Sequence, residues 1–319
     1  VNTPTKTKGI GAGFASDLKW IESSARQIAK FAKGHTVVVE KSTLPVKTAA
    51  VIKKILEAST EKVLSSNKPL KSFSVLSNPE FLSEGNAIND LEKPDRVLIG
   101  GYDKQAISAL SEIYLNWIEE EKIITTDLWS SELSKLVANA FLAQRISSIN
   151  SVSSLCEATG ADIKNVSLAI GTDKRIGKLF LNAGPGFGGS CFKKDISNLV
   201  YIYNHYGLKE EAAYWQKVID INNWQQNRIT EIILENLFGT ITDKKISILG
   251  FSFKANTNDT RESPAIRICK NLLLEGGHLS IYDPQVKSDA IENNLDLAEN
   301  EFFDKEAKLG AWRFSKTIL

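Results

Sequence analysis

Residues 130–160 read SSELSKLVANAFLAQRISSINSVSSLCEATG, and this stretch divides the chain. Its apolar residues recur at helical spacing with no period-two alternation, so one long helix is expected, with Ser130 or Ser131 as N-cap and Gly160 as stop. Upstream the pattern differs. An amphipathic helix over Asp17 to Lys33 is followed by β-rich runs at Val37 to Val39, Phe73 to Leu76 and Val97 to Ile99. Helical stretches at Val46 to Ser59 and Gln105 to Trp117 separate those runs, and Ile123-Ile124 reads as one more short strand. Strand-helix alternation of this kind predicts a mostly parallel sheet. Downstream, helices are expected at Ile163 to Ile170, Lys193 to His205 and Glu210 to Leu237. A linker at Gly239 to Lys244 then leads into strand Ile246 to Gly250, helix Pro264 to Glu275 and strand Leu279 to Tyr282, a second βαβ unit.

The fold class is therefore α/β, in three parts: residues 1–129 with a partial parallel sheet, an all-helical centre over 130–239, and a second partial α/β piece over 240–319. Both α/β pieces read as incomplete, because one βαβ unit cannot cover both faces of a doubly wound sheet. The tail from Asp289 to Leu319 has weak periodicity and receives no assignment.

Composition narrows the function classes. A chain of 319 residues is long enough for about two domains with a sizeable core. Hydrophobic residues at 42% and charged residues at 24% are globular proportions, and no run is long and apolar enough for a membrane span. The net charge of +1 gives no global field to attract nucleic acid or an anionic bilayer, so neither partner is expected. Cys156, Cys191 and Cys269 are far apart with no CxxC, which indicates neither a disulfide framework nor a metal site and suits a reducing cytoplasm. The chain opens at Val1 and contains no Met, so the natural N-terminus is expected upstream.

The densest chemical signal is Gly184-Pro185-Gly186-Phe187-Gly188-Gly189-Ser190-Cys191-Phe192-Lys193-Lys194-Asp195, where a glycine-rich loop runs into a helix. Cys191 at a helix N-terminus, with Lys193 and Lys194 behind it, has the surroundings that favour a thiolate, and Asp195 one turn on is placed to orient or deprotonate water. The competing reading is a turn-forming loop with a small buried cysteine; for Cys156 and Cys269, inside apolar helical patterns, that core reading leads. On the long helix Lys135 and Asn139 form an i,i+4 pair ahead of Leu142, Ile146 and Ile149. Either this end emerges into solvent, or it is buried and the lysine needs an anionic partner or a developing oxyanion. Asn78-Pro79-Glu80-Phe81-Leu82-Ser83-Glu84-Gly85 follows a strand directly, which puts Glu80 and Glu84 at the ligand-binding edge of a parallel sheet, or simply in a solvated loop. Gly9-Ile10-Gly11-Ala12-Gly13 lacks the GxGxxG spacing and a preceding strand and reads as a plain loop. His35, His205 and His278 have no partner spacing for metal or a triad.

Taken together, the Gly186 to Asp195 loop, the Asn78 to Gly85 segment, Glu132 to Leu136 with Ala138 to Phe141, and Gly250-Phe251-Ser252-Phe253-Lys254 resemble the UDP-glucose 6-dehydrogenases of the UDP-glucose/GDP-mannose dehydrogenase family, over Val1 to about Val286. The resemblance implies two partial Rossmann-like domains joined by a helical domain, and a two-step, NAD-dependent oxidation of the sugar C6 alcohol of UDP-glucose to a carboxylate. In that scheme Cys191 is the nucleophile, Lys135 stabilises oxyanions, Asn139 and Asp195 hold or activate water, Glu80 is the base for thioester hydrolysis, and Thr43 belongs to the same catalytic set. NAD would lie against Asn2, Thr3, Pro4, Thr5, Ser42, Thr43, Glu84, Lys194 and Arg261. The nucleotide sugar would contact Glu80, Phe81, Leu82, Lys135, Asn139, Phe180, Gly184, Phe187, Gly188, Phe253 and Lys254, with Arg175 reaching a neighbouring subunit of a dimer-based, hexameric homo-oligomer. Asn182 stands where family members often carry a basic residue, and the family's opening strand and GxGxxG turn are not in this sequence. The alternative is a non-catalytic truncated paralogue that assembles with full-length subunits; a cysteine hydrolase is more distant, because no histidine base accompanies Cys191.

Overall fold

The computed structural model of the chain describes residues 1, 3–58, 71–296 and 311–317. Asn2, Ser59 at the end of one expected helix, and much of the tail from 297 onward lie outside the described residues. The chain forms two compact units, one of residues 1–139 and 194–212, the other of 140–193 and 213–319. No helix among the described residues is long and apolar enough to cross a membrane.

The first unit contains α1 (Lys19–Phe31), β1 (Gly34–Glu40), α2 (Thr48–Ala58), β2 (Lys71–Ser77), α3 (Ala87–Glu92), β3 (Val97–Gly100), α4 (Lys104–Tyr114) and β4 (Ile123–Thr126). The long helix α5 (Leu128–Thr159) begins here and continues into the second unit, which also holds α6 (Ile163–Thr172). Most of α7 (Phe192–His205) belongs to the first unit and most of α8 (Lys209–Asn236) to the second.

The four strands of the first unit lie in the order β1-β2-β3-β4. β1 and β2 are parallel, with Val38 opposite Val75, and β3 and β4 are parallel, but β2 and β3 are antiparallel through a single pair, Ser77 and Gly100. The sheet is thus mostly parallel, as the strand-helix alternation predicts, with one antiparallel junction. The connection over 78–96 holds just the short helix α3, and an antiparallel junction needs no crossover helix. Asn78 reinforces the thin junction, its Nδ2 donating to the Leu98 carbonyl at 2.8 Å. Both faces are covered: α1 and α2 contribute Ile21, Ala25, Ala29, Ile52 and Leu56 against Phe73 and Val75, and Ala106, Tyr114 and Ile118 pack on Leu76, Val97 and Ile99.

Helix α5 starts earlier than Ser130. The Asp127 carboxylate accepts from the N–H groups of Trp129 and Ser130 at 3.0 and 2.9 Å, and a carboxylate is favoured over a serine hydroxyl at the positive end of the helix dipole. Gly100 permits β3 to end against this start, since a Cβ there would lie 2.4 Å from Ser131 Cβ and 2.8 Å from the Asp127 carbonyl. One turn on, the buried Glu132 accepts from the backbone N–H of Lys47 and of Ala49, each at 2.7 Å, and so secures the start of α2. Beside it Glu40, at the end of β1, is also buried, and neither of its carboxyl oxygens has a hydrogen-bond partner. Burial, with the Glu132 charge added, pushes Glu40 up to about 9, and burial pushes Glu132 up to about 7.

In the second unit β5 (Lys245–Leu249), α9 (Pro264–Leu274) and β6 (His278–Tyr282) form the expected βαβ unit, and all its strands are parallel. The unassigned tail adds α10 (Ser288–Leu295) and β7 (Trp312–Phe314), the latter pairing with β6. The core is Phe251, Cys269, Leu272, Leu273, Leu279, Ile281 and Ile291. Cys156 and Cys269 are both buried, and burial pushes the Cys269 thiol up to about 12, which suits a core filler.

The Glu40 carboxyl titrates near 4.5 when unperturbed and near 9 in the fold, so its contribution to stability is full below pH 4.5 and is lost as pH rises towards 9. The loss is at most about 1.4 kcal/mol per pH unit. Glu40→Gln should be more stable than the parent at pH 8 and nearly flat from pH 7 to 9, where Glu132 no longer contributes much slope. Guanidinium unfolding midpoints across that range check it; parallel slopes in the two proteins would refute it.

Candidate active site

In the first unit, α5 presents Lys135 and Asn139 one turn apart, 5% and 7% exposed, so the face that sequence left open is buried. A buried ammonium requires a counter-charge. Lys135 Nζ lies 3.8 Å from Glu80 Oε2 and 5.2 Å from the centre of the Phe81 ring. Glu80 is held by the Leu82 N–H, which donates to Oε2 at 2.7 Å, and the Arg96 guanidinium stacks 3.9 Å from the Phe81 ring centre. Asn139 Nδ2 donates to Asp195 Oδ2 at 2.6 Å. Asp195 is 2% exposed, and burial raises its carboxyl above the usual range despite the Lys194 charge, the Asn139 hydrogen bond and the more distant Lys135.

Lys194 Nζ lies 4.0 Å from Asp195 Oδ1 and donates to the Thr3 carbonyl at 3.4 Å, while Thr3 Oγ1 donates to the Thr43 carbonyl at 3.1 Å. Ser42 and Thr43 therefore stand just past the carboxyl end of β1 beside Thr3. Among the described residues this unit brings together Thr3, Thr43, Glu80, Phe81, Lys135, Asn139, Lys194 and Asp195; Glu84 is exposed on the same loop as Glu80. Pro4 and Thr5 are fixed by backbone pairing to Asp17 and Ser16, around the turn that contains Gly9 to Gly13. Donor-rich hydroxyls and one ammonium at a strand's carboxyl edge fit the polar end of a dinucleotide.

In the second unit the loop before Cys191 is held at several points. Asn222 on α8 accepts from the Phe187 N–H at 2.7 Å and donates to the Phe187 carbonyl at 3.0 Å. Asn150 accepts from the Gly184 N–H at 2.8 Å, Gln225 donates to the Gly184 carbonyl at 2.9 Å, and the Gly189 N–H donates to the Arg261 carbonyl at 2.8 Å. The glycines serve more than turns. A Cβ on Gly188 would lie 2.5 Å from the Glu262 carbonyl and 2.9 Å from Phe253 Cβ, and Gly189, at φ +82°, lies against the Phe253 ring. Asp283 fixes the neighbouring loop, accepting from the N–H of Phe251 at 2.7 Å and of Ser252 at 3.0 Å. Burial opposes its ionisation, but these and the Gln285 and Val286 N–H groups hold its carboxyl below the usual range.

Cys191 is exposed and immediately precedes α7, with the Ser190 hydroxyl 3.6 Å from its sulfur. The two lysines expected to act together are divided: Lys193 pairs with Glu262 at 2.8 Å, whereas Lys194 serves Asp195 and Thr3. Lys254 lies 5.7 Å from the Phe253 ring centre, Arg261 is forked onto Asp259 with its shortest contact 2.6 Å, and the exposed Arg175 is likewise forked onto Asp173. Phe180 has φ +60° at the end of a turn whose carbonyls, those of Ile176, Gly177 and Leu179, all accept from Arg145. Arg96, Arg145, Asn150 and Asn222 escaped the sequence reading. Their signal was a polar residue inside an otherwise apolar helical face, as in Ile149-Asn150, and for Arg96 proximity to the strand that follows it.

Comparison with known proteins defines the class. Residues 1–118 match the NAD binding domain of the UDP-glucose/GDP-mannose dehydrogenase family, residues 129–224 its central domain and residues 247–309 its UDP binding domain. The chain belongs to that family. It is 56% identical over 303 residues to UDP-glucose 6-dehydrogenase 5 of Oryza sativa subsp. japonica, covering 94% of this chain and 62% of the rice protein. To the UDP-glucose 6-dehydrogenase of Mus musculus it is 57% identical over 299 residues, covering 92% of this chain and 59% of the mouse protein. Among solved structures, a UDP-glucose dehydrogenase from the archaeon Pyrobaculum islandicum superimposes with a TM-score of 0.78 at 32% identity, covering 93% of this chain and 64% of that one. The chain thus spans about three-fifths of the length of these relatives.

The close approach at Gly188 predicts that Gly188→Ala costs about 1–3 kcal/mol, the usual range for overpacking. Gly184→Ala, where a Cβ meets nothing within 4 Å, is the control and should cost less. Denaturant midpoints of the two variants test this, and equal losses would contradict the role given to the loop.

Proposed function

We propose that the protein containing this chain oxidises the C6 alcohol of UDP-glucose to the carboxylate of UDP-glucuronate through a thiohemiacetal and a thioester on Cys191. The observation that carries the proposal is the cluster of Lys135, Asn139 and Asp195, all buried, with the half-exposed Glu80 carboxylate facing Lys135 from its open side. NAD+, when bound, accepts the hydride in each of two oxidations. Thr3, Pro4, Thr5, Ser42, Thr43, Glu84, Lys194 and Arg261, with Asn2, are the residues offered to it.

In the first oxidation the C6 hydroxyl gives its proton to water held by Asn139 and Asp195, as hydride leaves C6. A carboxyl raised by burial accepts that proton more readily than an ordinary aspartate. Cys191 Sγ adds to the aldehyde carbon, and the oxyanion formed is met by the Lys135 ammonium. Loss of a second hydride from C6 leaves the thioester. Water, deprotonated by Glu80, then attacks the thioester carbon; the C–S bond breaks, the carboxylate departs and the Cys191 thiol is restored. The nucleotide is offered Phe180, Gly184, Phe187, Gly188, Phe253 and Lys254, with Phe81 and Leu82 beside the sugar.

Self-association belongs to the same proposal. Phe141, Leu155, Leu168 and Leu179 in the second unit are 55%, 62%, 61% and 77% exposed, an apolar display that a second copy of the chain would cover, and the exposed Arg175 would have to exchange its Asp173 partner to reach that copy. A reducing cytoplasmic setting suits three cysteines that are all free thiols.

The test is UDP-glucose oxidation by the longest natural product that contains this sequence, with two NADH formed for each UDP-glucuronate. Lys135→Ala should lower kcat by about a hundred- to a thousand-fold. Cys191→Ser should abolish carboxylate formation, and intact mass should register an acyl adduct on the parent sulfur and none on the variant. Parental turnover by Cys191→Ser would refute the scheme.

A further inference from the structure

Tyr114, near the end of α4, is 8% exposed and packs in the core beneath β2 and β3. A phenylalanine would satisfy that packing equally well, so its hydroxyl needs another explanation. The hydroxyl donates to Asn78 Oδ1 at 2.6 Å and accepts from Lys41 Nζ at 3.0 Å. Lys41 Nζ also donates to the same Asn78 oxygen, at 3.1 Å. Asn78 is 1% exposed, and every polar group it has to offer towards the sheet is engaged: its Nδ2 with the Leu98 carbonyl and its backbone N–H with the Glu40 carbonyl, each at 2.8 Å.

Glu80 lies two residues further on. Between them stands Pro79, whose ring fixes its own φ and also restricts the backbone of the residue before it. Few free torsions therefore separate the anchored Asn78 from the Glu80 Cα, and the position of one is transmitted to the other. Glu80 in turn faces Lys135 at 3.8 Å, a separation that tightens or loosens with small movements of this link.

We propose that Tyr114 is a positioning residue for Glu80, acting through Asn78, with Lys41 as its accessory. This assignment rests on the role given above to Glu80 in thioester hydrolysis, but its geometric half stands independently. A buried amide oxygen deprived of one donor shifts to recover it, and displacement of a reacting group by about 1 Å typically lowers rate by about a hundredfold. None of Tyr114, Asn78 and Lys41 is among the residues offered to the nucleotide sugar, so the effect is expected chiefly in the hydrolytic step.

Tyr114→Phe and Lys41→Met, with Lys41→Arg as the conservative partner, separate the possibilities. In the natural product that contains this sequence, hydrogen exchange of the Leu82 amide, which donates to Glu80, should quicken by about tenfold in the first two variants while exchange across β1 and α2 is unchanged. In the same variants kcat should fall by about tenfold with KM for UDP-glucose and NAD+ within about twofold, and the acyl adduct on Cys191 should accumulate in intact-mass spectra. Lys41→Arg should restore most of both. Unchanged Leu82 exchange in Tyr114→Phe, or loss of protection throughout the unit, overturns the positioning role whether or not the parent oxidises UDP-glucose. If the parent forms no NADH, the proposed function fails, and Leu82 exchange alone then decides this assignment.

Discussion

The arrangement of the first unit depends on burying the Lys135 ammonium. An unpaired charge inside a protein is costly enough that the chain must bring a counter-charge to it or leave it in water. Here Glu80 is brought to it on a loop leaving the carboxyl end of β2, and the Phe81 ring turns towards it. The same turn of α5 carries Asn139 to Asp195, a carboxyl whose burial favours its neutral, protonated form. The position of α5 against the sheet is fixed by Gly100, Asp127 and Glu132 together, so the cluster's geometry follows from how one helix begins.

Much of this was legible in the order of residues. Helical periodicity from 130 to 159, the strand-helix alternation before it and the βαβ pattern after it located nearly every element, since each is a local property of the sequence. Lys135 and Asn139 could be paired by spacing, but their burial could not be decided, because burial depends on what a distant loop presents. The mostly parallel sheet was legible, but its one antiparallel pairing was not, for a related reason: alternation reports elements, and the direction of β3 is set by the short connection over 78–96. The helix start at Asp127 in place of Ser130 reflects a competition between two neighbouring caps, in which the carboxylate wins.

The glycine loop makes a complementary point. Its residues signalled chemistry at Cys191, yet Gly188 and Gly189 are required by a backbone and a ring from far along the chain, at Glu262 and Phe253. The amides that hold the loop, on Asn150, Asn222 and Gln225, come from two helices whose polar residues look unremarkable in isolation. Side chains that bind backbone across long sequence separations leave little trace in any window of a few residues. Lys193, by contrast, was conspicuous in sequence and is occupied by a surface carboxylate.

The two N–H groups at the start of α2 that meet Glu132 have a kinetic corollary. Most helices carry their own first-turn acceptor and can nucleate as soon as they are made. This one borrows its acceptor from a residue 83 positions away, so its first turn is secured only after α5 has docked. During synthesis the segment around Thr43 would then remain unsettled until the long helix emerges, and the edge that is offered to the dinucleotide would be among the last parts of the unit to become ordered.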